Sequence, residues 1–363
     1  MDEDRRTEIA AISSIDIHPS SVMTGLSKKM IQSMLDRMGV EYADGMPKEA
    51  YLIAWHDAFC YDRNWIIRFL PGHYIDFLIE IWESDSLEMD SLRWDMVKNL
   101  KLFGLLAYKK GHIQPQDSGE IYVIESMKRH FYFFLKSRRN KKNRERLQGW
   151  EDVFLGLSYY YGICSFADMH KIFCQISKET VSYDELRRFI SCRLELWGAG
   201  SIVRVSDGKE YFVNQNVENP DMILMYLDSH RNLDYKNLSR DDLLYVRQSY
   251  GIDNRWKGVS ELGSYLVQDM QMSYYRSTVL IHTLILAIQN GSDLCQLRKT
   301  VDTMISQDTE AREELDSFLQ LMYYHIPLYE YKGYSRAEYQ KIQEETERKD
   351  RKNHFTIFQG GKL

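Results

Sequence analysis

The chain of 363 residues contains only six prolines and five cysteines, and it has no long apolar run. Few prolines leave room for long helices, because proline breaks the hydrogen-bond ladder of a helix. The cysteines form no CxxC pair, which favours reduced thiols over a secreted disulfide framework. The longest apolar stretch, 277–289, is too short to span a bilayer of about 30 Å, and the charged N-terminus lacks the apolar segment of a signal peptide. We therefore expect a cytoplasmic protein with no membrane partner.

The sequence also lacks the motifs that identify common enzymes. It contains no glycine-rich phosphate loop, no GxSxG elbow and no paired-carboxylate motif. Cys164, His170 and Cys174 do not have the spacing of a zinc knuckle, and helical periodicity predicts that Cys174 and Cys192 are buried thiols. We expect a non-catalytic protein with no cofactor, no metal site and no small-molecule substrate.

Apolar residues make up 44% of the chain, enough for packed cores, and most of them recur at helical spacing. Short breaks at glycine, proline and capping residues divide this pattern. The sequence therefore predicts a mainly α fold with short β-hairpins. After Asn219-Pro220 the expected helices cover 238–250, 258–271, 273–290, 293–306, 308–325 and 335–350.

Two stretches have the pattern of strand pairs. Residues 194–216 are LELWGAGSIVRVSDGKEYFVNQN, and residues 100–126 are LKLFGLLAYKKGHIQPQDSGEIYVIES. Each begins with a Leu-aromatic-Gly step, where a helix ends and a strand begins, and Asp207-Gly208 suits a tight turn. Three helical patterns precede the hairpin of 194–216. Three helices followed by a two-stranded wing is the winged-helix arrangement, so we expect one clear module of this kind and one degenerate copy.

Near the N-terminus, Ser27 caps a predicted helix, Gly39 ends it and Pro47 starts a second helix. This helix-extension-helix layout resembles the Rho N-terminal and SAP modules, which implies nucleic-acid binding. A plain helical hairpin packed on the next domain is the alternative. The predicted segments are a flexible lead at 1–24, a helix-loop-helix module at 25–70, a degenerate winged-helix-like unit with a basic C-terminal end at 71–147, a winged-helix-like module at 148–220 and a helical domain with a charged tail at 221–363.

Two further resemblances concern metal chemistry. His56-Asp57 is similar to the metal-binding doublet of HD phosphohydrolases, whose other ligands cannot be placed here from spacing. The segment 325–342 resembles the stretch that precedes the zinc-binding SEC-C tail of many bacterial proteins, which implies a bacterial protein. Zinc binding is not implied, because no cysteine follows Cys295. The matching residues of that segment are Ile326, Pro327, Tyr329, Gly333, Ser335 and Glu338.

The strongest functional signal is the basic run KSRRNKKNRERLQ at 136–148. Seven Lys or Arg residues and one Glu give a local charge of +6, whereas the whole chain carries −6. Such a run neutralises phosphates and releases counterions. It predicts contact with nucleic acid or another polyanion, and the alternative is a solvated helix end between domains. The candidate residues are Lys136, Arg138, Arg139, Lys141, Lys142, Arg144 and Arg146.

A winged helix often contacts DNA with its third helix, here 182–196. Arg187 and Arg188 on its outward face suit phosphate or guanine, and Arg204 on the wing is a further candidate. Asp184 and Glu185 oppose this interpretation, because the N-terminal end of the helix usually approaches the DNA. We therefore hold two hypotheses. The first is a nucleic-acid-associated regulatory or accessory protein, and the second is an adaptor that docks a protein partner through the winged helix and the C-terminal helices.

Overall fold

The computed structural model describes residues 8–109, 119–206, 208–305 and 309–359. The fold is mainly α-helical with short β-strands, which confirms the predicted fold class. The chain divides into two compact units: unit 1 comprises Met1–Trp150 and Asp184–Trp197, and unit 2 comprises Glu151–Tyr183 and Gly198–Leu363. The chain therefore leaves unit 1, returns to it and leaves again. The domain boundaries drawn from the sequence stay predictions.

The helices of unit 1 begin and end largely where the capping residues place them. Ser27 accepts a hydrogen bond from the Met30 backbone, and Gly39 ends the first helix with a left-handed backbone. Tyr51, Trp55 and other side chains of the second helix lie in the core of unit 1. The helices are α1 (Lys28–Met38), α2 (Lys48–Tyr61), α3 (Asn64–Phe69), α4 (Gly72–Glu83), α5 (Ser91–Leu102) and α6 (Glu125–Lys136), with α7 (Arg138–Tyr161) running on into unit 2.

A four-stranded sheet completes unit 1. Its strands are β1 (Glu8–Ile15), β2 (Ser86–Met89), β3 (Leu106–Lys109) and β4 (Glu120–Ile124), in the order β2-β1-β4-β3. β1 pairs parallel to β4 and antiparallel to β2. The prediction of a flexible lead over 1–24 is therefore wrong for residues 8–15, because both edges of this segment find strand partners far along the chain.

The start of α5 is marked by its capping residue. Residues 87–89 lie in β2, and Asp90 caps α5 by accepting a hydrogen bond from the Arg93 backbone. Leu92, in the first turn of α5, is 67% exposed, whereas Met96 one turn later is buried.

Unit 2 contains a three-stranded sheet and the C-terminal helices. β5 (Ile163–Ser165), β6 (Gly200–Arg204) and β7 (Glu210–Asn214) pair in the order β5-β7-β6. Along the chain the order is α7, β5, α8 (Phe166–Ser177), α9 (Tyr183–Phe189) with a π-helical extension (Ile190–Glu195), then β6 and β7. Three helical segments thus precede the antiparallel hairpin, as predicted, although residues from Asp184 to Trp197 belong to unit 1.

The Leu-aromatic-Gly steps have the backbone that the sequence predicts. Gly104 and Gly198 have positive φ angles of 63° and 69°. Both hairpins are antiparallel. In each sheet a further strand pairs with the second strand of the hairpin: β1 pairs parallel to β4, whereas β5 pairs antiparallel to β7. Residues 110–118 and Asp207, within the predicted connections, lie outside the described residues.

The remaining helices follow the periodicity closely. The apolar stretch 277–289 lies in a helix with buried Leu280, Leu284 and Ile288. Ser335 and Glu338 form a reciprocal cap at the last helix. Among the described residues, no helix combines the length and apolarity needed to cross a membrane. The helices are α10 (Pro220–Ser229), α11 (Arg240–Gln248), α12 (Val259–Gln268), α13 (Tyr274–Gln289), α14 (Leu294–Met304), α15 (Thr309–His325) and α16 (Arg336–Gln359).

Candidate nucleic-acid interface

The basic run covers the junction between α6 and α7 in unit 1. α6 ends at Lys136, Ser137 has an extended backbone, and α7 starts at Arg138. Asn140 and Trp150 on one side of α7 are buried. Because the helix repeats every 3.6 residues, this burial turns the opposite side towards solvent. The exposed residues of that side include Arg138, Arg139, Lys141, Lys142, Glu145 and Arg146.

Three of the candidate cations are already paired with carboxylates of unit 1. Lys136 donates to Glu83 and to the Tyr132 hydroxyl. The guanidinium of Arg144 lies 2.7 Å from an Asp76 oxygen, and its side chain is only 11% exposed. Arg146 lies 3.6 Å from Glu185 and stacks over the Trp150 ring at 4.4 Å. Arg144 therefore fixes α7 to α4, whereas Lys136 and Arg146 are half-exposed and can exchange partners.

The other four cations of the run differ from these three. Within the described part of the chain, Arg138, Arg139, Lys141 and Lys142 are exposed and form no hydrogen bond or ion pair through their side chains. They occupy the first turns of α7, where the helix dipole is positive and the first turn holds no acidic residue. Cations at this end of a helix destabilise it slightly. An anion placed against them removes that penalty.

The predicted third helix has the expected two faces over most of its length. Leu186, Phe189, Ile190 and Leu194 are buried. Tyr183, the first residue of α9, is 39% exposed, although its ring packs edge-on against Phe166 at 4.4 Å. The outward residues Asp184, Glu185, Arg187 and Arg188 are all exposed.

Arg204 lies on β6 in unit 2. Its guanidinium contacts Glu210 across the hairpin at 3.0 Å, and the Arg204 side chain is 69% exposed. Opposite charges directly across a strand pair stabilise it modestly. The contact gives Arg204 a role within the hairpin itself.

One residue beside the basic run was not predicted from the sequence to be a site residue. Phe133, in the middle of α6, is 81% exposed. It lies on a solvent-facing stripe of α6 together with Ser126, Arg129 and Lys136. The signal was present in the sequence, because Phe133 falls at helical spacing from Arg129 and off the stripe that contains the buried Phe131.

Among the described residues, no group of three or more His, Cys, Asp or Glu side chains could hold a metal ion. The Nε2 atom of His170 lies 2.7 Å from the Val181 carbonyl oxygen, so this nitrogen is occupied by the backbone. Cys174 lies 3.7 Å from the same nitrogen and is only partly buried. Cys164 and Cys192 are buried thiols, and burial raises the pKa of Cys192 to about 11.

The His56-Asp57 doublet contacts itself. The Nδ1 atom of His56 lies 3.3 Å from an Asp57 oxygen, and its Nε2 atom lies 3.5 Å from the Cys60 sulfur. The His18 ring packs against the His56 ring at 4.7 Å. Burial lowers the pKa of His56 and raises that of Cys60 to about 11. His56 is thus packed between Cys60 and His18, whereas the Asp57 side chain is 73% exposed.

Unit 2 has a surface cleft of about 650 Å³ between α8 and the loop before α11. Its walls carry cations and carboxylates together, and one of the cations, Lys236, is paired with Glu338 at 2.6 Å. Tyr161 at its base donates to the Lys236 carbonyl oxygen at 2.6 Å. These groups hold the loop in place. The charged residues of the cleft are Asp168, Lys171, Lys178, Asp234, Lys236 and Arg240.

Comparison with protein-family models, with curated proteins and with solved structures finds no match to this chain and identifies no enzyme family.

Proposed function

We propose that this chain is a non-catalytic binding protein that contacts the phosphates of nucleic acid with the start of α7. The observation that carries the proposal is the set of four exposed, unpartnered cations, Arg138, Arg139, Lys141 and Lys142. All four lie within a span of five residues. A rise of about 1.5 Å per residue therefore keeps their backbones within roughly 6 Å along the helix axis. Closely spaced cations of this kind neutralise neighbouring phosphates.

The overall charge of the chain supports a local contact. The net charge of −6 disfavours coating of nucleic acid by the whole surface. A confined basic surface in an acidic protein instead fixes where the ligand lies. Lys136 and Arg146 extend this surface, because an exposed ion pair gives up its carboxylate for a phosphate at little cost.

Sequence specificity is not part of the proposal. Phosphate contacts position a protein on nucleic acid without distinguishing bases. Asp184 and Glu185 at the exposed start of α9 repel phosphates, which counts against insertion of this helix into a groove. We therefore propose a regulatory or accessory role that depends on nucleic acid but not on its sequence.

The test is the salt dependence of binding. The variant Arg138→Ala/Arg139→Ala/Lys141→Ala/Lys142→Ala should bind more weakly to all sequences. The slope of log affinity against log salt should flatten by about 0.9 for each duplex phosphate that is lost, or about 0.7 for a single strand. A matched control replaces four scattered exposed lysines of unit 2, Lys257, Lys299, Lys341 and Lys349, and so changes the net charge equally.

Two results would contradict the proposal. Wild-type protein that shows no salt-dependent binding to duplex DNA, single-stranded DNA or RNA at low ionic strength has no such function. Equal weakening by the clustered and the scattered variants would show that net charge, and not the start of α7, is responsible. Fluorescence anisotropy over a range of salt concentrations measures both.

The second candidate function is a protein adaptor, and α10 favours it. Met222 and Met225 lie one turn apart on this helix and are 36% and 63% exposed. Exposed methionines are typical of adaptable protein-docking surfaces. Replacing both with glutamate should abolish capture of a protein partner while leaving nucleic-acid binding unchanged, and capture that survives the replacement contradicts docking at α10.

A further inference from the structure

We infer that Phe133 stacks on a nucleobase, and that the ligand of the basic surface is therefore a single-stranded nucleic acid. The inference rests on the proposed function and adds the strandedness of the ligand. An exposed aromatic ring lies next in the chain to the cations of α6 and α7.

The ring of Phe133 is exposed to solvent, whereas the neighbouring rings of Phe131 and Tyr132 are engaged by the protein. Phe131 on the opposite stripe of α6 is fully buried, and Tyr132 is tied to Glu83 through a hydroxyl hydrogen bond of 2.6 Å. Phe133 touches only the Tyr132 ring, edge-on, at 5.2 Å among the ring contacts of the described residues. At 81% exposure, nearly all of its ring surface meets solvent.

Single exposed apolar side chains are common and need no explanation by themselves. The charges around Phe133 make it informative. Arg129 lies one turn before it and Lys136 one turn after it, both exposed, and the four free cations begin at Arg138. Aromatic rings set among cations are the usual surface for unpaired bases, because the ring stacks on the base while the cations hold the backbone.

The spacing along the chain suits one short stretch of ligand. Arg138 lies five positions after Phe133, so their backbones are at most about 18 Å apart, and the helical part of the path shortens this further. A strand whose phosphates lie against Arg138 and Lys142 can therefore place a base of a nearby nucleotide on Phe133.

Strandedness follows from which bases have a free face. In a duplex each base is covered above and below, so that stacking on Phe133 requires the base to be flipped out first. In a single strand the bases are not held in pairs, and an aromatic ring can stack on a base of any type. The exposed ring thus adds affinity for single strands and none for an intact duplex.

The experiment compares three fluorescein-labelled ligands bound to the full chain: twelve-nucleotide oligouridylate, twelve-nucleotide oligothymidylate and a twelve-base-pair duplex. Phe133→Ala and Phe133→Leu should weaken binding of both single strands by roughly fivefold to a hundredfold, the range expected for one stacked base. The salt slope should not change, because the phosphate contacts remain. Duplex binding should be unaffected, and Phe133→Tyr should restore wild-type affinity.

The control is Tyr274→Ala, which removes a similarly exposed ring, 79%, from unit 2. It should bind all three ligands as the wild type does. Unchanged single-strand binding by Phe133→Ala, with loss of binding by the fourfold basic variant, overturns the stacking inference and leaves the proposed function standing. Equal loss on single strands and duplex also overturns it. Absence of binding by the wild type defeats the proposed function and the inference together.

Discussion

At the scale of single residues, His56 makes the stability of unit 1 depend on pH. Burial lowers its pKa below the ordinary value of 6.5, and the neighbouring His18 and His130 lower it further, while Asp57 opposes the shift. The unfolded chain therefore takes up a proton at a higher pH than the folded chain does. The contribution of His56 to the free energy of unfolding is fully present above about pH 6.5 and is lost as the pH falls through the lowered pKa.

His56→Gln should reduce this loss, because glutamine cannot take up a proton. The free energy of unfolding, measured by urea denaturation at a series of pH values below 6.5, should fall less steeply for the variant than for the wild type. Parallel curves for His56→Gln and the wild type would show that His56 does not titrate differently on folding.

At the scale of elements, β1 is the segment on which the sheet of unit 1 depends. It lies between β2 and β4, so both of its edges are paired. The Ile12 backbone N–H donates to the Asp85 carbonyl oxygen at 2.8 Å, and that of Ala11 donates to Gly119 at 3.0 Å. Glu8 at its start accepts a hydrogen bond of 3.0 Å from the Trp94 indole.

Ile12→Pro should destabilise unit 1 by about 2–4 kcal/mol, because it removes the N–H and leaves the Asp85 carbonyl without its donor. Ile12→Val keeps the hydrogen bond and should cost no more than about 1.5 kcal/mol. Tryptophan fluorescence in urea is a suitable measurement, since six of the seven tryptophans belong to unit 1. Equal midpoints for the two variants would mean that β1 is dispensable.

At the scale of the whole molecule, unit 1 is completed by a segment that follows part of unit 2 in the chain. Arg193 is 2% exposed and donates to the carbonyl oxygens of Ile67 and Arg68. The Trp197 indole donates to Phe69 at 2.7 Å, and its ring lies 4.6 Å from that of Tyr74. Residues 184–197 are therefore part of the unit 1 core.

A fragment of residues 1–150 should consequently be less stable than unit 1 in the full chain. Joining residue 150 to residue 184 through a flexible linker of about ten residues should restore most of the loss, because such a linker reaches roughly 17 Å and the rings of Trp150 and Phe189 lie 5.5 Å apart. Urea midpoints by tryptophan fluorescence compare the two proteins. A fragment 1–150 as stable as the joined protein would show that 184–197 adds nothing.

The sequence by itself determined the elements whose signals are local. Periodicity placed a helix at 273–290, and α13 spans Tyr274–Gln289. The Ser27 cap and the Gly198 turn were predictable for the same reason, because caps and left-handed turns depend on a few adjacent residues. The cations of the candidate interface were identified in the same way, as a run of like charge.

Only the tertiary structure decided which of these residues are free and which strands pair. β1 has no strong strand pattern and forms because β2 and β4 meet it from distant parts of the chain. Arg144 and Arg138 look alike in the sequence, but Asp76 on α4 forms an ion pair with Arg144 and not with Arg138. Trp197 in the segment 184–197 contacts Phe69, 128 residues earlier, and no local pattern encodes this contact. Pairing, burial and charge neutralisation depend on long-range contacts, and those are set by the packing of the whole chain.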